Sequence, residues 1–147
     1  YQGAPRLVRT IPIGISSLVK SATQNLNIKE DQARQFIMKF GLAQDKLEGQ
    51  VFHAIEITLE NFVQEIAKSI KFLGTKYQNV QVGSIALSGY SGIVPQMPEY
   101  VSSKTGIQSY SANPFQNVNV PAKYQQQVAS VGNEFAVAIG LAERNNK

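Results

Sequence analysis

Apolar residues recur at intervals of three and four along much of this 147-residue chain, and that spacing assigns most of it to helices. The longest run is Ile55, Leu59, Phe62, Ile66, Ile70 and Leu73. It predicts a helix from about Glu48 to Gly74 and leaves Glu56, Glu60, Glu65, Lys68 and Lys71 for other faces. At about 1.5 to 3 kcal/mol for each large side chain buried, this stripe makes the helix a principal contributor to the core. Ala33, Phe36, Ile37 and Phe40 form a second stripe, stopped by Gly41. An earlier helix carries Leu18, Val19 and Ala22, with Ser16 or Ser17 as its cap and its end near Asn25 to Asn27. Val131 and Phe135 to Ala142 read as a last, small-residue helix able to pack closely on a sheet.

Two stretches break the helical period. Leu7 to Gly14 is β-branched and aliphatic and reads as a strand, with Pro12 at its end or on an edge because proline lacks a donor. Val80 to Leu87 reads as a central strand whose run Ile85-Ala86-Leu87 suits burial on both faces. Gly89 and Gly92 then allow a tight turn, and a helix begun at Ser91 directs its N-terminus at the carboxyl end of the strand, where open α/β sheets bind ligands. Met97, Tyr100 and Val101 continue that helix, with Pro95 and Pro98 confining its regular part, until Gly106 ends it. Ile107 to Tyr110 is a short strand, and Asn113 to Pro121 is loop by composition. The class is α/β, a mixed sheet flanked by helices, in one domain spanning 1–147.

Composition narrows the chemistry. With no cysteine, disulfides, thiol nucleophiles and thiolate metal sites are all excluded, which suits a cytosolic protein. His53 is the only histidine, so no metal site of His ligands exists, and it reads as an ordinary helix-face residue. The net charge is +4, but the basic residues are scattered and not interleaved with aromatics, so no nucleic-acid surface is supported. That charge still allows a weak attraction to an anionic membrane surface. No apolar stretch approaches the roughly 20 residues that span a bilayer, and Tyr1 to Arg6 contains no apolar leader.

The turn after the central strand is the candidate site. It carries neither G-x-x-x-x-G-K-[ST] nor G-x-G-x-x-G, so the common phosphate cradles are absent. Gly89-Tyr90-Ser91 begins like the nucleophile elbow of a serine hydrolase. However, Ile93 stands where the final glycine belongs, and His53 precedes the serine instead of following it.

Arg9-Thr10-Ile11-Pro12-Ile13-Gly14, Leu87-Ser88-Gly89 with Pro95, Ala112-Asn113-Pro114-Phe115, and Phe135 to Ala142 appear in that order. Together they resemble the C-terminal part of the PilM family of type IV pilus assembly proteins, over about Arg6 to Arg144. That family is related to the cell-division protein FtsA. The resemblance implies part of an actin-like (ribonuclease H-like) ATPase fold: the second large domain, without its first strand. It also implies ATP, with Mg, as the family's cofactor, near Gly14, Arg34, Ile37, Ser88, Gly89, Tyr90 and Ser91. Three departures bear on that site. Ser88-Gly89-Tyr90-Ser91 stands where the family has Thr-Gly-Gly-Gly, and Arg34 and Ile37 stand where it has a Glu and a Lys. Ile15 replaces a second glycine. An apolar side chain cannot replace a lysine donor, so the expectation is weakened ATP binding. The implied role is a cytoplasmic adaptor at the inner face of the membrane that binds the cytoplasmic tail of a PilN-like membrane protein and other pilus assembly proteins. Membrane contact is then only through partners. An ATP-binding relative in which Tyr90 stacks on the adenosine is the alternative. An FtsA-like division protein is disfavoured because Glu143 to Lys147 shows no membrane-binding helix. The Leu7 to Ile13 edge and the loop from Asn113 to Pro121 offer surfaces for further partners, although simple connection and core explains both.

Overall fold

A computed structural model describes residues 5–144. The readings on Tyr1 to Ala4 (no apolar leader) and on Asn145 to Lys147 (no terminal membrane helix) lie outside the described residues. The order of elements is α1 (Ile15–Leu26), α2 (Glu30–Phe40), α3 (Gln50–Lys76), β1 (Ile85–Leu87), α4 (Tyr90–Ile93), α5 (Met97–Thr105), β2 (Ser109–Ser111), α6 (Gln125–Val131) and α7 (Ala136–Glu143). Among the described residues the sheet has two strands. They run parallel, with Ile85 opposite Ser109 and Leu87 opposite Ser111, and α4 and α5 make the crossover between them.

The helical periods hold. Leu18, Val19 and Ala22 of α1, Ala33 and Ile37 of α2, and Ile55, Leu59 and Val63 of α3 are buried together, joined by Leu87, Val94, Met97 and Val101. The serines expected to cap α1 lie inside its first turn. Gly14 is the cap, and its amide donates to Ser17 Oγ at 3.4 Å. Asn27, in the left-handed region at φ 53°, ends the helix.

The sheet is smaller than the sequence pattern predicts. Residues 7–14 form no strand and residues 80–84 form none. Only Ile85–Leu87 pairs, because a strand exists only where a neighbouring backbone meets it. Leu87 is buried, Ile85 is half-buried and Ala86 is exposed, so β1 is covered on one face and not on both. Ile66, Ile70 and Leu73 are half-buried for the same reason: little sheet lies over the C-terminal half of α3. The final helix is not the closely packed element that its composition suggests: none of the α7 residues is buried, and Val137 and Leu141 are exposed.

A polar strap holds the unpaired segment. The Arg9 guanidinium bonds Glu65 Oε2 and donates to Ser69 Oγ at 3.1 Å, while Lys68 Nζ donates to Glu65 Oε1 at 2.6 Å. The Lys68 hydrogen bond, then the charges of Lys68 and Arg9, hold the Glu65 carboxyl below its ordinary range against the opposing effect of desolvation. A carboxyl lowered in the folded state stabilises that state above its unfolded pKa, and the contribution is lost as pH falls through the folded pKa. Urea unfolding of wild type and Glu65→Gln should therefore differ by a constant amount at neutral pH and converge in acid. A difference that persists in acid would assign the effect to packing.

Candidate functional site

The start of α1, the middle of α3 and the turn after β1 enclose a cleft of about 260 Å³. Each wall follows from local sequence. Ile13, Gly14 and Ile15 reach it because Gly14 opens α1, and Leu59 and Phe62 reach it as successive members of the α3 stripe. Ser88, Tyr90 and Ser91 reach it because Gly89, at φ +62°, turns the chain straight from β1 into α4. Gly92 serves the same turn for a different reason. A Cβ there would lie 2.7 Å from the Leu87 carbonyl oxygen and 2.9 Å from Asn133 Oδ1, so the position is short of space.

The cleft is apolar. Among the described residues no charged side chain lines it, and its hydroxyls come from Ser88, Ser91 and the phenol of Tyr90. Tyr90 is 42% exposed. Ser91 Oγ donates to the Ser88 carbonyl at 2.8 Å, while the only histidine, His53, lies exposed on α3 with Nδ1 3.3 Å from Glu56. Neither contact makes the nucleophile and base pair that a hydrolase elbow needs. An apolar cleft of this kind can accept a planar ring or an aliphatic group. It offers no cation for a polyphosphate.

The seven residues assigned to a nucleotide site therefore separate. Gly14, Ser88, Tyr90 and Ser91 line one cleft, and Gly89 lies between two of them in the chain. Ile37 is fully buried in the core and does not line it. Arg34 lies on α2, 4.0 Å from Glu30 Oε1 across one helical turn. Ile15, at the position of the missing glycine, puts a side chain into the cleft. Among the described residues no group of three or more His, Asp or Glu could hold a metal ion.

A second cleft, of about 490 Å³, continues along α3, with Ser69, Ile70 and Leu73 on its floor, Arg6 and Leu7 on one side and Val80 to Ser84 on the other. Sequence reasoning missed two contacts that set the turn. The Gly89 amide donates to the Asn133 carbonyl at 3.0 Å, and the Leu42 amide donates to the Pro95 carbonyl at 3.1 Å. Neither Asn133 nor Leu42 stands in a pattern that announces such a contact.

Comparison with known proteins agrees with this fold. Among solved structures, the chain is similar to one described as the PilM-PilN type IV pilus biogenesis complex. The TM-score is 0.81 at 22% identity, covering 97% of this chain and 40% of that one. This chain thus spans well under half the length of its structural relative. No curated protein matches it. Among the described residues, no helix is long and apolar enough to cross a membrane. The family model for the type IV pilus assembly protein PilM matches residues 8–146, nearly the whole chain, and the chain belongs to that family.

Proposed function

We propose that this chain is a cytoplasmic adaptor of type IV pilus assembly that engages the cytoplasmic tail of a PilN-like membrane protein, with nucleotide binding weakened. The observation that carries the first half is the family match over residues 8–146. The structural relative is described as a complex with PilN, and that supports a PilN-like tail as partner. Support for the second half comes from the cleft: Tyr90 and Ile15 occupy space that glycines would leave open, and no cation lines the walls. On this reading the domain is a piece of an actin-like ATPase fold kept as a scaffold, and its function lies on its surfaces.

A PilN-type tail peptide titrated into the protein should bind with measurable heat, and Mg-ATP should produce none. Absence of peptide binding by a folded protein would overturn the adaptor reading.

A second reading rests on Tyr90, whose ring stands at the rim of the cleft and is free to stack on a base. Stacking of this kind is worth about 1 to 3 kcal/mol. If ATP does bind, Tyr90→Ala should weaken it by about tenfold on the stacking reading. Unchanged or tighter binding would mean that the tyrosine only fills space.

A further inference from the structure

Two stretches of the chain are nearly free of acidic residues. Residues 5–29 contain no Asp or Glu and residues 61–98 contain only Glu65, although the same stretches carry Arg6, Arg9, Lys20, Lys29, Lys68, Lys71 and Lys76. The two stretches meet on the C-terminal half of α3. Arg9 reaches Glu65 and Ser69 there, and Arg6 and Leu7 share a cleft with Ser69, Ile70 and Leu73.

The outer face of that half-helix has its own pattern. Lys68, Phe72 and Lys76 follow at intervals of four, with Lys71 beside Phe72, while Ile66, Ile70 and Leu73 turn inward. Phe72 is 53% exposed and Val8, next to the Arg9 anchor, is 85% exposed. Glu65 is shared by Arg9 and Lys68, so four cations stand against one carboxylate.

We propose that this end of α3 docks directly on the surface of an anionic phospholipid bilayer, with Phe72 and Val8 entering the headgroup region and Lys68, Lys71, Lys76 and Arg9 facing the phosphates. The chemistry favours a lipid surface. Lysines on long apolar stems around an exposed aromatic ring suit a soft anionic interface, where the stems lie along apolar surface and the ammonium groups stay wet. A single-stranded nucleic acid would need successive aromatic platforms in a basic groove, and the patch has one ring on a convex helix. The contact requires no second protein, so it stands apart from the PilN-like reading and adds a second attachment to the same membrane.

Each lysine near an anionic surface is worth about fivefold in partitioning, so removing three should cost about a hundredfold. The test is sedimentation of the intact protein, alone, with vesicles of phosphatidylcholine and with vesicles that also contain phosphatidylglycerol. Binding should need phosphatidylglycerol and weaken as salt rises. The variant Lys68→Gln/Lys71→Gln/Lys76→Gln should lose it by about the stated factor. Phe72→Ser should bind more weakly while keeping the preference for anionic lipid. These positions are exposed, and an unchanged circular dichroism spectrum checks the fold of each variant. Three results would each overturn the proposal: no binding to phosphatidylglycerol vesicles at low salt, equal binding to neutral vesicles, or wild-type binding by the triple variant. Retention of an acidic protein by the patch without any vesicle binding would do the same and would assign the surface to a protein partner.

Discussion

Replacing Ile37 by Lys, the residue that the family resemblance leads one to expect there, should unfold the protein and not restore a nucleotide site. Ile37 has no exposed surface and sits in the core cluster with α1, α3 and α5 residues. An ammonium group at this depth has no hydrogen-bond partner, and burial drives it to shed its proton at a cost of several kcal/mol. Lost apolar packing adds to that. The expected loss is about 4 kcal/mol or more, a large part of the roughly 5 to 15 kcal/mol that holds a domain of this size together. Ile37→Leu, which keeps the volume, should cost less than about 1.5 kcal/mol. Urea unfolding of both variants measures the contrast. A stable Ile37→Lys protein that gained ATP affinity would move this position from the core to a nucleotide site.

Gly41→Ala should be the next most damaging single change. Gly41 ends α2 at φ +52°, where a side chain is already strained, and the space is filled. A Cβ at this position would overlap the Pro95 carbonyl oxygen and lie 2.7 Å from Pro95 Cδ and 2.8 Å from Pro95 N. Neither proline ring nor backbone can rotate away. Relief requires the α2 end to separate from the residues before α5, which would break the hydrogen bond from the Leu42 amide to Pro95. Strain and overpacking together amount to about 3 kcal/mol or more, and the melting temperature should fall by about 10 °C. Gly106→Ala is the control. It shares the positive φ, at +70°, but has nothing within 4 Å of its Cβ, so it should cost only the backbone term. Equal effects at the two positions would show that the approach to Pro95 is unimportant.

Long helices were legible in this sequence because their signal is local and repeated. The stripe from Ile55 to Leu73 places α3 to within a few residues of its observed Gln50–Lys76, and Gly41 and Gly106 mark helix ends correctly. The strands were legible only in part. Leu7 to Gly14 has strand composition and no strand partner, and Val80 to Leu87 pairs over its last three residues alone. For α7 the composition suits a close-packing face, yet the element stands exposed, since apolar content does not say what an element meets.

The candidate site divides along the same line. Glycine spacing around Tyr90 identified the turn, because the backbone angle at Gly89 is a local requirement. Spacing puts Ile37 in the apolar stripe of α2, and it is buried there; only the family resemblance sets it beside a nucleotide, and it does not line the cleft that holds Tyr90. By itself, then, the sequence determined the helical periods, the turn after β1 and, through an ordered set of short motifs, the family. The tertiary structure alone decided that Gly14, Ser88, Tyr90 and Ser91 share a cleft, that Ile37 does not line it, and that Arg9 anchors the segment before α1 to α3. Those outcomes depend on contacts between residues tens of positions apart, and such contacts leave no period in the chain.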